Sequence, residues 1–482
     1  MQRILRMPRL ATNYVILSGG EFISKVLAAV ALAYLARVLG PESYGSLEFA
    51  IAIYFIVHLF VDSGLSYIGA RELAKDKGQQ SKLFVNITLA RSVLALTAFV
   101  FLALLAMFIN QPQEVKTLIL LYGLVMFVLP WLTQWVFQGR DMMQYVALAS
   151  LTRWSVFAGL VFLLVHEPQQ IWLVPIIEGA AQLSVAVILM AAIIHIFGFP
   201  RYKARLLDAF ALYRKAIPIG ASELVWAIKM YFATILLGFV IGGVELGWFT
   251  AAHRIVVALH AFVWLYFYNM LPSISRSSQQ PVSVFLRLMK ISLQIAAWGG
   301  IFIAIYGVLF AEFGITLIFG EQYRGASRIF AVLIWVIPLA LMSGHFRYTL
   351  IGYDKQKYEF YSAVIGAVVN VMLNLVLVGR YGLLGAAVSL VISEAVIWLT
   401  AYLYVKRLIV PIPVFVYIWK PVIAGILLSA ALYFLMQVDV IHIFLAGAIG
   451  LAIYLILMAV LQPDLITNMR LIYQREGGEM DS

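Results

Sequence analysis

Apolar residues along this chain come in long unbroken runs, not in alternation. Breaks at charges, glycine and proline separate fourteen of them: roughly 12–38, 43–70, 83–109, 115–137, 145–166, 170–197, 216–241, 247–271, 288–311, 326–350, 358–378, 382–405, 413–436 and 441–461. An α-helix needs about 20 apolar residues to cross the hydrocarbon core. A transmembrane β-barrel would alternate apolar and polar positions instead. The pattern therefore predicts an all-α integral membrane bundle of about fourteen transmembrane helices.

The polar stretches between runs are short, so no soluble catalytic domain fits. The longest, 199–215 (FPRYKARLLDAFALYRK), is basic and amphipathic. It is expected to lie at the membrane surface and link two halves. About 23 of the 34 Lys and Arg residues lie at the termini or after even-numbered helices. The opposite side holds only Lys116, Arg324, Arg328 and Arg380. The positive-inside rule then puts both termini in the cytoplasm, which an even helix count satisfies. Composition agrees with a membrane protein: 63% of residues are hydrophobic and 12% charged. The net charge of +11 resides in these loops, so it implies no nucleic-acid partner. The chain has no cysteine, which excludes disulfides and thiolate metal sites. The run after Arg3, Arg6 and Arg9 is too long for a signal-peptide core, so no cleavable signal is expected.

The chain also repeats itself. At an offset of 202, the first two helices overlay the seventh and eighth without a gap, and 11 of the 46 positions from Ile16 to Val61 are identical. Glu21 meets Glu223, Gly40 meets Gly242, Gly45 meets Gly247 and His58 meets His260. A second echo pairs 139–145 (GRDMMQY) with 352–358 (GYDKQKY). Six helices separate the copies, so both insert the same way up. This predicts two six-helix lobes in a parallel pseudo-twofold repeat, plus two C-terminal helices. The expected domains are an N-terminal lobe at 1–197, the linker at 198–215, a C-terminal lobe at 216–405, and the last two helices with a tail at 406–482.

Charges inside the runs are the candidate chemistry. A charge at the bilayer centre costs about 2.5–3.5 kcal/mol on insertion scales, so these residues must face one another or water. The deep cations are Lys25, Lys229, Arg91, Arg153 and Arg254, while Arg37 and Arg347 lie near helix ends, where they can snorkel. The acids are Glu21, Glu48, Asp62, Glu178, Glu223 and Glu394. Cations from both halves suit an anionic ligand, phosphate or diphosphate first, whose oxygens Arg and Lys satisfy. A second reading has Glu21 and Lys25, spaced i,i+4, neutralise one another. The repeat keeps the acid as Glu223 but has Ala227 in place of the lysine. His58 and His260 either hydrogen-bond across a helix interface or couple to protons, and Asp62, one turn from His58, could tune it. Glu178 and Glu394, with Asn370 and Asn374, read as packing hydrogen-bonders.

The chain has no phosphate-binding G-x-x-x-x-G-K-[ST] loop and no H-E-x-x-H or acidic metal cluster. The turn 39–45 (LGPESYG) resembles the G-P-x-x-[YF]-G signature of polysaccharide-biosynthesis membrane proteins. The segments 62–66 (DSGLS), 71–74 (RELA), 138–142 (QGRDM) and 379–386 (GRYGLLGA) are similar to that family too. Together these matches span most of the first twelve helices. The family shares a superfamily with multidrug and toxin extruders and lipid II flippases. The resemblance implies a flippase for undecaprenyl-diphosphate-linked sugars, working by alternating access. For the lipid II branch it implies cavity arginines on helices 1, 2 and 8, and a lipid-tail groove on the two extra helices. Arg254 on helix 8 fits that pattern; helix 1 offers Lys25 where that branch has arginine.

The expectation is thus a transporter, not an enzyme, with no cofactor beyond a coupling H⁺ or Na⁺. Substrate-binding candidates are Lys25, Lys229, Arg91, Arg153 and Arg254. Coupling or counter-charge candidates are Glu21, Glu223, His58, Asp62 and His260. Expected partners are the bilayer, a polyprenyl-diphosphate-linked glycan, and polysaccharide polymerase and glycosyltransferases, in a bacterial inner membrane. Two alternatives stand beside it. A cation-coupled exporter of drugs or metabolites would lean on acids and twelve helices. A membrane polymerase or ligase would show a long outer loop with catalytic charges.

Overall fold

The computed structural model describes residues 9–436 and 443–464, with side chains from residue 19 onward except at 436 and 443. Among these residues the regular structure is all helical, without strands. Twelve helical stretches are long and apolar enough to cross a membrane. Two of them are far too long for one crossing. α1 (Arg9–Asp62) has 54 residues and the helix Gln356–Leu408 has 53. At 1.5 Å per residue either would reach about 80 Å, against a core of about 30 Å. Each breaks at a glycine with positive φ, Gly40 at 73° and Gly382 at 55°, a backbone region that glycine enters readily. Just past the second break the chain has doubled back. A Cβ on Gly385 would lie 2.4 Å from the carbonyl oxygen of Leu377. Counted by arm, the described residues offer about fourteen candidate crossings, in line with the hydrophobic pattern.

The helices separate into two compact units, Met1–Thr250 and Ala251–Ser482. The first holds α1, α2 (Leu65–Lys75), α3 (Gln80–Phe108), α4 (Gln113–Val125), α5 (Gln134–Gly139), α6 (Met143–Leu164), α7 (Leu173–Phe197) and α8 (Leu206–Val240). The run predicted at 43–70 ends earlier as a helix. Ser63 and Gly64 turn the chain with φ of 44° and 78°, and α2 sets off separately. Pro130 sits in a 3₁₀ stretch, Met126–Trp131, that divides the run at 115–137 into α4 and α5, because proline supplies no N–H to continue the ladder. Residues 198–205 are not helical. The remainder of the amphipathic segment forms the first turns of α8, which continues through Pro218 for 35 residues. There α8 packs on α1, α2 and α3. The core of this unit is built around Leu65, Ile68, Ile87, Trp135, Phe137 and Leu189.

Glycines set how closely α1 and α8 approach. A Cβ on Gly220 would lie 2.6 Å from the Ser63 carbonyl carbon, and one on Gly238 would strike the Phe49 ring. At the far end, a Cβ on Gly45 would lie 2.7 Å from the Gly247 nitrogen. One on Gly247 would lie 1.8 Å from the Pro41 oxygen.

α9 (Gly243–Ser277) begins at the end of the first unit and runs into the second. The second continues with α10 (Val282–Leu309), α11 (Ala311–Phe319), α12 (Ala326–Leu333), α13 (Val336–Gly352), α14 (Gln356–Leu408), α15 (Val414–Met436) and α16 (Ile443–Leu461). The last two helices pack on α10 through Trp298, Ile305, Leu428, Leu432 and Tyr454. Polar contacts lock the junction. Trp298 Nε1 donates to Gln462 Oε1 at 2.7 Å, and the Tyr454 hydroxyl donates to the Trp298 carbonyl at 2.7 Å. Lys420 Nζ donates to the Leu461 carbonyl at 2.7 Å, a cation at the negative end of α16.

Candidate functional site

Two buried ion pairs organise the polar interior of the first unit. In one, Arg91 of α3 pairs with Asp62 at the end of α1 and donates to Ser66 of α2. Its Nη1 donates to the Leu132 carbonyl at 3.0 Å, and Ser66 Oγ donates to Asp62 Oδ1 at 3.1 Å. In the other, Arg153 of α6 binds Glu178 of α7 through Nε at 3.1 Å and through Nη2. Gln182, one turn along α7, donates to Glu178 Oε1 at 2.6 Å and to the Tyr54 hydroxyl at 3.1 Å. The pairs differ in access. The Arg91 side chain is 4% exposed, whereas Arg153 is 38% exposed beside a buried Glu178. Arg153 also lies over the Trp154 ring, 5.1 Å from its centroid.

His58 stands between the pairs on α1, one turn from Tyr54 and one from Asp62. Its ring lies 5.8 Å from Tyr54 and stacks 6.4 Å from Phe55. It feels the charges of Asp62, Arg91, Arg153 and Glu178. Its Nδ1 is buried and meets no hydrogen-bond partner among the described residues.

Lys25 and Glu21 lie on the first arm of α1, which runs beside α6. Gly20 touches Ala147, and further along the Tyr34 hydroxyl donates to the Val165 carbonyl at 2.9 Å. Both contacts advance in the same chain direction, so the helices are parallel and Lys25 lies level with Arg153 and Trp154. The Lys25 side chain is exposed and Glu21 half-buried. On α8, Glu223 is exposed and within electrostatic reach of Asp62, while Lys229 is buried. Arg254 and His260, both half-buried on α9, belong to the second unit. Lys25, Lys229, Arg254 and His260 each engage at least one neighbour.

The second unit carries its own polar interior. Arg347 pairs with Glu359 of α14, its Nε donating at 2.9 Å. Near a helix end, it is thus neutralised within the protein rather than snorkelling. Ser343 donates to Glu394 at 2.6 Å, Asn370 to Ser393 at 3.3 Å, and Asn374 to the Asn370 carbonyl at 2.8 Å. Buried His345 lies 3.4 Å from the Tyr266 hydroxyl. Charge counting passed over Tyr54, Gln182, Ser343, His345 and Glu359. Gln182 alone had a local signal, its i+4 spacing from Glu178. No group of three or more His, Asp or Glu side chains converges as a metal site among the described residues.

A helical bundle with so many helices long and apolar enough to cross a membrane, and with charges paired inside it, defines a multi-pass membrane protein. Solved structures share its fold. A lipid II flippase MurJ in an inward closed conformation aligns with a TM-score of 0.77 at 15% identity, covering 94% of this chain and all of that one. A multidrug resistance MATE family transporter of the MOP superfamily, inward-facing, aligns with a TM-score of 0.62 at 14% identity, over 82% of this chain and 97% of its own. Residues 10–278 match the family of polysaccharide biosynthesis proteins, and the chain belongs to that family. Among its relatives is a protein of Escherichia coli (strain K12) named for O-antigen transport, 24% identical over 83% of this chain and 97% of its own length. A Shigella dysenteriae protein of the same name is 22% identical over 76% and 93%.

Proposed function

We propose that this chain flips an undecaprenyl-diphosphate-linked oligosaccharide, the repeat unit of a surface polysaccharide, across a bacterial inner membrane. The observation that carries this reading is the length of the match to a relative named for O-antigen transport, 97% of that protein. The fold likeness points the same way. The flippase alignment leaves 6% of the chain unmatched, less than α15 and α16 occupy, so it reaches into the last two helices. The smaller share matched by the multidrug transporter, 82%, leaves room for both to lie outside it.

In this reading the exposed Lys25 and the accessible edge of Arg153, level on parallel helices, attract the diphosphate. Lys229, Arg254 and Arg91 complete a basic path, with Arg91 entering it once Asp62 lets go. Glu21 and Glu223 balance that charge in the empty state. His58, between the two ion pairs, couples their rearrangement to H⁺ or Na⁺ together with Asp62, and His260 takes the equivalent place in the repeat. The halves 1–197 and 216–405 rock against one another, 198–215 links them, and 406–482 guides the polyprenyl tail. Both termini face the cytoplasm, where glycosyltransferases deliver the substrate; a polymerase receives it outside.

The test is to delete the gene and identify what accumulates. The expected result is a completed lipid-linked oligosaccharide trapped on the cytoplasmic face, with surface polysaccharide lost. Unchanged polysaccharide with no trapped intermediate would refute the reading.

A further inference from the structure

Glu223 and Trp226 lie one turn apart on α8, and both are exposed; Trp226 is 38% exposed. Two observations fix what they face. A mid-membrane carboxylate turned to hydrocarbon is strongly disfavoured. The same helix face continues upward as Ala227 and Met230, four and seven residues beyond Glu223, and both are buried. The face is therefore the inward one. Trp226, one turn from Glu223 on that face, is read with it as turned to water and not as a membrane-belt residue.

The ring is also held in place. Phe55 of α1 meets Trp226 edge-on at 6.2 Å, and Trp226 meets Tyr231 at 6.5 Å, nearly perpendicular, while Phe55 packs on Tyr231 at a tilt of 40° with centroids 4.7 Å apart. Edge-to-face aromatic contacts of this kind constrain ring orientation. Beside this braced ring stands a group that accepts hydrogen bonds from hydroxyls, Glu223, one turn away on the same helix and exposed. Asp62 acts on Glu223 from α1. An aromatic face with a carboxylate at its edge suits a pyranose. The sugar's C–H face lies on the indole, and its hydroxyls donate to the rim.

We infer that Trp226, braced by Phe55 and Tyr231, is the platform on which a sugar ring of the lipid-linked glycan stacks, with Glu223 as its hydroxyl partner. This rests on the function proposed above and separates the recognition of sugar from that of diphosphate.

The purified full chain in nanodiscs is titrated with two probes, undecaprenyl diphosphate and undecaprenyl diphosphate carrying N-acetylglucosamine. The wild type should bind the glycosylated probe more tightly. Trp226→Ala should weaken that probe about tenfold and leave the bare diphosphate within about twofold, a loss of the size aromatic contacts supply. Trp226→Phe should keep most of the preference, which separates a stacking role from a folding defect. Equal losses for both probes, or no loss with alanine, would overturn the platform while leaving the flippase reading intact. Failure of the wild type to bind either probe would instead refute the flippase reading, and the platform with it.

Discussion

Replacing Glu178 with methionine would strand the Arg153 guanidinium and remove the acceptor used by Gln182. Breaking one side of a buried pair costs about 3–5 kcal/mol. Arg153 keeps 38% of its side chain exposed, and water there screens part of the loss, so about 2–3 kcal/mol is expected. In a unit of this size that lowers the melting temperature by about 4–10 °C. Arg153→Met should cost a similar amount, since Glu178 is then buried unpaired. The double substitution should recover much of the loss, because two apolar side chains leave no orphan charge. The assay is thermal unfolding of all four proteins at one heating rate, with transport followed in parallel. Additive losses would show that the pair is not energetically coupled, against the geometry. If the double variant regains both stability and transport, Arg153 is a structural cation and leaves the proposed diphosphate path. If it regains stability alone, Arg153 also serves the substrate.

Other outcomes follow from the same geometry. Gly247→Val would drive its Cβ into the Pro41 carbonyl, a backbone atom that side-chain rotation does not move; a loss of about 1–3 kcal/mol or more is expected in thermal unfolding. Gly159→Ala, with nothing within 4 Å, should be neutral or gain up to about 1 kcal/mol in the same assay. Lys25→Met should abolish or sharply reduce transport without changing the melting temperature by more than about 2 °C; normal transport would return Lys25 to a self-neutralising pair with Glu21. Because the chain has no cysteine, single cysteines at Lys203 and Arg324 can report topology. An impermeant thiol reagent added outside the cell should label position 324 alone, and labelling at 203 would invert the orientation.

The crossing count and the breaks between paired arms were legible in the sequence, because continuous apolar runs and the glycines at 40 and 382 leave little choice. Proline was visible but undervalued. Pro130 falls inside a run whose hydropathy never drops, and only the structure shows the helix ending there. The need for charge pairing was legible; the partners were not. Asp62 and Arg91 stand 29 residues apart on different helices, and Arg153 and Glu178 stand 25 apart. Insertion energetics demands a counter-ion for each but is silent on which helix supplies it. Local spacing put Asp62 one turn from His58, whose ring feels its charge, but could not show that Arg91 holds Asp62. Trp226 was hidden for another reason. Aromatic residues are common in membrane spans, and exposure becomes informative only once the inward face of α8 is known.

The contact between Gly45 and Gly247 limits what can change there. Each is the other's counterpart at the offset of 202, and they touch. Backbone lies on both sides of the contact, so a side chain added at one position cannot be relieved by trimming the other. Both must stay glycine together. Repeat positions that do not meet are not bound in this way, and Lys25, aligned with Ala227, is one that differs.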